Sequence, residues 1–180
     1  RSSDLFVGAD GKPYYGTLLD MSYRLGRFDI FEKLLKKGLF FNEAAGTVHD
    51  IAKEGKMTYA DAIAVHAMKR GANKSFLRYL DEEGKTPVMV ALESGFGSIA
   101  RVYTKCGFKR NVDAHKWENI AVTDKDIITA RDKGWGKIYN GLLGEQNEAQ
   151  RTIIEMDALN NKRYEEKRKL RLQDEKDENV

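Results

Sequence analysis

A single cysteine, Cys106, stands among the 180 residues. That excludes an intramolecular disulfide and any zinc site built on paired cysteines, and it points to a reducing, intracellular setting. No apolar run approaches the ~18 residues needed to cross a bilayer. An excess of one charge is lacking too: 31 Lys and Arg are nearly offset by 28 Asp and Glu, for a net +3. So mild a balance does not suit a dedicated nucleic-acid binder; it permits an acidic partner without demanding one. The common catalytic signatures are missing: there is no G-x-S-x-G elbow, Walker loop or H-E-x-x-H helix. His49, His66 and His115 have no His or Cys at metal-ligand spacing. No metal or cofactor is therefore expected. A cytoplasmic location is expected or, if Arg1 is a processed terminus, an organelle matrix.

What is present is a core-forming composition, 41% hydrophobic and 10% aromatic, and an internal repeat. Residues 16–38 (GTLLDMSYRLGRFDIFEKLLKKG) can be laid over residues 84–107 (GKTPVMVALESGFGSIARVYTKCG). In each, an inner glycine, Gly26 or Gly95, precedes a closing glycine, Gly38 or Gly107, by twelve residues. An amphipathic run lies between them, with Ile30, Phe31, Leu34 and Leu35 in one copy and Ile99, Ala100, Val102 and Tyr103 in the other. That is helical spacing. A shorter helical run precedes each inner glycine, opened by Thr17 or by Thr86-Pro87, where a hydroxyl cap and a first-turn proline fit. The glycines then permit the turn and a left-handed helix end.

A third copy follows at Gly134, with Ile138, Tyr139, Leu142 and Leu143 in the same phase, but Gln146 holds the closing-glycine place. A degenerate copy lies between the first two, with helices expected at residues 47–55 and 61–70. Its closing glycine, Gly71, falls 33 residues after Gly38 and 36 before Gly107.

Thr-Pro, the inner glycine, the paired aliphatics and the ~33-residue period together resemble the ankyrin repeat. Gly84, Thr86, Pro87, Ala91, Gly95, Ile99 and Gly107 carry the match, as do Thr17, Leu19, Gly26, Ile30, Leu34, Leu35 and Gly38. The resemblance spans roughly residues 10–146. It implies an all-α fold, a stack of about four helix–turn–helix repeats, with a long C-terminal helix added. The signature histidine is Asp20 in one copy and Met89 in another, so irregular connections between repeats are expected. By resemblance such a stack binds proteins and is not an enzyme. An adaptor or accessory structural subunit of a larger complex is the expected role.

Two other patterns compete. Gly95-Phe96-Gly97-Ser98-Ile99-Ala100 reads G-x-G-x-x-A, the fingerprint of an NAD(P)-dependent enzyme if residues 87–92 form a strand. Against it, residues 108–112 (FKRNV) do not read as the second hydrophobic strand, and a lone fingerprint is weak. Residues 100–108 resemble the Tyr-x-x-x-Gly-Phe segment of acetyl-CoA-dependent N-acetyltransferases, but the pyrophosphate loop that should precede it is missing.

Candidate partner-binding residues follow from the repeat phase. Arg27, Phe96 and Trp135 each come directly after an inner glycine, and Tyr14 and Tyr15 lie in the first turn. His66 and Cys106 are expected to pack. From about Glu145 to Glu175 no Pro or Gly interrupts one long helix, on the order of 45 Å. Ile153, Ile154, Met156 and Leu159 are expected to dock on the last repeat. Beyond them Lys167, Arg168 and Arg171 form a small basic cluster. A solvated face is the plainer reading of it, and an RNA-associated structural role the sharper one. The expected domains are residues 1–146, the repeats, and 147–180, a charged arm.

Overall fold

The computed structural model describes residues 3–180, which are mostly helical. A hairpin of β1 (Asp4–Val7) and β2 (Pro13–Gly16) opens the chain. Helices follow in pairs: α1 (Leu18–Arg24) with α2 (Phe28–Lys36), α3 (Thr47–Glu54) with α4 (Met57–Ala67), and α5 (Pro87–Glu93) with α6 (Gly97–Cys106). A second hairpin, β3 (Phe108–Asn111) and β4 (Lys116–Asn119), precedes α7 (Asp124–Lys133) and α8 (Gly136–Glu178). Single 3₁₀ turns at Glu43–Ala45 and Ser75–Arg78 occupy the connections. The two small hairpins are added to an otherwise all-α-like fold; FKRN, which the sequence does not read as a strand, forms one in an antiparallel ribbon.

The pairs repeat because their turns repeat. Gly26, Gly55, Gly95 and Gly134 all take φ between 69° and 83°, a region costing a residue with a Cβ about 1–2 kcal/mol. The next residues, Arg27, Lys56, Phe96 and Trp135, share ψ between 66° and 78°. Their amides donate five residues back, to the carbonyls of Ser22, Ile51, Ala91 and Ala130 at 2.8–3.0 Å. Each second helix then starts two residues after its glycine, so the degenerate copy's second helix begins at Met57, not Asp61. Gly107 departs from expectation: its φ is −88°. Space is the reason for glycine there, since a Cβ would lie 2.7 Å from the Ala121 Cβ.

The second helices α2, α4, α6 and α8 pack side by side in chain order, and α3 packs on α5 beneath them. Aromatic edges hold the first pairs together. Tyr59 of α4 receives Tyr23, Phe28 and Phe31 at centroid distances of 4.9, 5.1 and 4.9 Å. Phe31, Phe41, Phe76 and Tyr103 continue the line into the third pair. Each such contact contributes about 0.5–1.5 kcal/mol beyond burial.

α8 is the second helix of the last pair and the long C-terminal helix in one. With Gln146 where the first and third pairs have glycine, the helix runs on. Ile138, Leu142, Glu145 and Ala149 lie buried along one stripe, and Arg101 of α6 grips Glu145 with two nitrogens at 2.9 and 3.1 Å. Docking then passes to the second hairpin. The Trp117 amide donates to Asp157 at 3.1 Å, and Asn160, with its amide oxygen turned to the hairpin, accepts from Trp117 Nε1 at 2.9 Å. Ile153 and Met156 are half-buried here, but Ile154 and Leu159 are exposed, so only half of the expected apolar set docks. Every residue from 161 onward is exposed.

Candidate interaction surfaces

Antiparallel pairing sends the four glycine turns to one end of the molecule and the connections between pairs to the other. At the connection end a polar residue three places into the first helix links neighbours. Asp20 accepts from its own Thr17 amide at 2.8 Å, completing a capping box, and from the Asn42 amide at 2.9 Å and the Thr47 hydroxyl at 2.5 Å. In the second pair the same place holds His49, whose Nε2 meets the Lys85 carbonyl at 2.9 Å. In the fourth it holds Asp126, gripped by both terminal nitrogens of Arg78 at 2.7 and 2.9 Å. The connections expected to be irregular are thus tied by side chains.

At the turn end, Arg27, Phe96 and Trp135 occupy equivalent places, and Lys56 completes the row. Phe96 lies on the preceding turn: a Cβ on Gly55 would come within 2.5 Å of its ring. The Trp135 ring receives the Lys85 ammonium at 4.9 Å. Trp135 is half-buried between pairs, Phe96 touches the preceding turn but stays exposed, and Arg27 is exposed beside Asp29. Tyr14 and Tyr15 lie on β2, not in a turn. Tyr14 is pinned, stacked on Phe6 at 5.9 Å and covered by the Arg24 guanidinium at 4.4 Å; Tyr15 is 54% exposed. Lys167, Arg168 and Arg171 are exposed on α8, about 48 Å of helix beyond Trp135. The sequence-predicted residues therefore fall in three separate places.

The chemistry-bearing side chains are used in packing. Cys106 is fully buried, its thiol pushed up to about 12 by burial. His66 is half-buried, and its Nδ1 has no hydrogen-bond partner, where a satisfied ring was expected. Among the described residues no three of His, Cys, Asp and Glu are grouped to hold a metal, and no helix is long and apolar enough to cross a membrane. The G-x-G-x-x-A stretch joins helix α5 to helix α6. The strand that a dinucleotide loop needs before it is a helix.

Two clefts of opposite charge escape sequence reasoning, because their residues come from distant segments. One, of about 550 Å³, lies at the connection end and is lined by Glu43, Asp50, Asp81, Glu82 and Glu83, with Lys53 and His49. The other, of about 910 Å³, lies between residues 68–75 and the β3–β4 hairpin. Lys69, Arg70, Lys74, Lys109 and Arg110 line it with Phe108 and Trp117, and no carboxylate does. The run Lys69-Arg70 and the run Lys109-Arg110 are visible in the sequence, but only the hairpin brings them face to face.

Comparison with protein-family models, with curated proteins and with solved structures gave no match, and the functional reading rests on the geometry.

Proposed function

We propose that the chain is a non-catalytic protein-interaction subunit, an ankyrin-like stack of four helix pairs that docks within a larger assembly through its C-terminal arm. The observation that carries the reading is the state of α8 beyond Asn160. Residues 161–178 remain helical with every side chain exposed. Such a helix contributes nothing to its own fold, and isolated helices of that length are marginal in water. Contacts with another molecule give it a role. The four recurring turns and the links at Asp20, His49 and Asp126 support the repeat part of the reading, because side-by-side stacking of like units is what a solenoid does.

The test compares the full chain with one ending at Asn160, both purified by affinity from cells that make the protein. A stoichiometric partner held by the full chain and lost from the shortened one is the expected result. The shortened chain keeps its melting temperature within about 1 °C, since no buried surface is removed. Recovery of no stoichiometric partner, or equal recovery by both chains, overturns the assignment to the arm.

A further inference from the structure

We propose that the basic cleft between residues 68–75 and the β3–β4 hairpin binds the phosphodiester backbone of a single-stranded nucleic acid. The site does not depend on the repeat reading, and the walls of the cleft are formed without the distal arm.

Its two walls are built differently. On one, Lys69 and Arg70 follow the end of α4, and Lys74 reaches across to donate to the Cys106 carbonyl at 2.7 Å and the Phe108 carbonyl at 3.0 Å. Lys69 and Arg70 also suit the negative pole of a helix C-terminus, which is reason enough for two of the cations. It is no reason for Lys109 and Arg110, which stand on the opposite wall on β3. Among the described residues Lys69, Arg70, Lys74 and Lys109 have no carboxylate within salt-bridge distance, although Glu118 sits across the hairpin from Lys109. Arg110 has Asp157 at 3.7 Å. Lys69, Arg70 and Lys109, unmatched along one cleft, repel one another, a cost that an anion in the cleft reverses.

The aromatic rings select the kind of anion. Phe108 and Trp117 are half-buried at the cleft, and Trp117 is held by Asp157 and Asn160 of α8. Cations tracking a backbone beside fixed aromatic faces are the arrangement that takes up single strands, because every base offers a face to stack on. The positive surface also continues outward. Arg163, Lys167 and Arg171 recur at spacings of three and four from Asn160, so they share its helix face. That path extends about 16 Å past the hairpin and suits a polymer rather than a compact anion.

The experiment measures fluorescence polarisation of a labelled twelve-nucleotide oligouridine, and of the oligothymidine counterpart, with the full chain at several salt concentrations. Saturable binding is expected, with log affinity falling against log salt at a slope of about −2 to −3.5, as for three to five phosphates. The triple variant Lys69→Glu, Arg70→Glu, Lys109→Glu lowers affinity at least tenfold. Its neutral counterpart Lys69→Gln, Arg70→Gln, Lys109→Gln lowers the magnitude of the slope by about 2 and guards against a fold defect from reversal. Lys167→Ala with Arg171→Ala costs threefold or less. In a Trp135→Phe background, the remaining tryptophan, Trp117, is quenched on binding. RNA binding alone identifies RNA as the source of the backbone, and equal binding of both oligomers identifies single strands generally. The proposal is overturned by no saturable binding, by full retention in the cleft variants, by tenfold loss in the arm variant alone, or by equal competition from a polyglutamate peptide, which marks an acidic protein site instead.

Discussion

His49 Nε2 lies 2.9 Å from the carbonyl oxygen of Lys85, joining the second helix pair to the connection that opens the third. A carbonyl can only accept, so Nε2 is the donor in this contact. His49 is 5% exposed. His49→Leu keeps the bulk and leaves the carbonyl unpaired, and a loss of about 1–3 kcal/mol is expected in urea denaturation. A loss under ~0.5 kcal/mol means the connection is held elsewhere.

Gly55 and Phe96 form a second coupled pair. Gly26→Ala and Gly55→Ala incur the same backbone penalty, about 1–2 kcal/mol, because both glycines are left-handed. Open space surrounds Gly26, but the Phe96 ring covers Gly55. Gly55→Ala is therefore the more costly by about 1 kcal/mol or more, and Phe96→Ala in the same chain restores part of that difference. A double-mutant cycle by chemical denaturation measures the coupling; additive effects contradict it.

Tyr103 is fully buried, and its hydroxyl finds no partner. Burial also drives its ionisation far above the ordinary range. Tyr103→Phe removes an unpaired polar group without changing the ring, so stability should rise, by up to about 1–2 kcal/mol. A drop in melting temperature for this variant rules out the orphan hydroxyl.

His66 gives a pH prediction. Burial, then the Lys69 charge, holds its folded pKa below the ordinary histidine value, so the unfolded chain takes up the proton more readily. The stability contributed by the neutral ring is present above about pH 6.5 and is lost as pH falls through that value towards the folded pKa. His66→Leu loses this dependence. The variant's melting temperature relative to the parent should climb between pH 7.5 and 5.5, and a constant difference refutes the assignment.

Local signals are legible in the sequence and long-range ones are not. The inner glycines and the Thr17 and Thr86 caps act within a few residues, so their periodic spacing is enough to place the helix pairs. Met57 is hidden as a helix start because the interval from Gly55 to Gly71 is longer than in the other copies, which draws the expected start forward to Asp61. The hairpin at residues 108–119 is hidden because FKRN and KWEN bury no continuous apolar face; they pair with each other and lean on α8 through Trp117. Phe96 and Trp135 follow equivalent left-handed glycines, as their spacing suggests. Whether they meet a partner or a neighbouring turn depends on the distance between pairs, which no single repeat contains. The opposed basic runs depend on the same kind of closure.

The missing glycine at Gln146 has a mechanical consequence. Every other pair ends its second helix, so its orientation is absorbed in a connection. The fourth pair passes its orientation directly down α8, a rod of about 64 Å. A tilt of some 5° at Leu142, inside the stack, swings the far end by roughly 4–5 Å. Small adjustments in the packing of α6 against α8, where Arg101 holds Glu145, are thereby magnified into displacements as large as a side chain at Arg171. The tip of α8 is geared to the packing of the helix pairs.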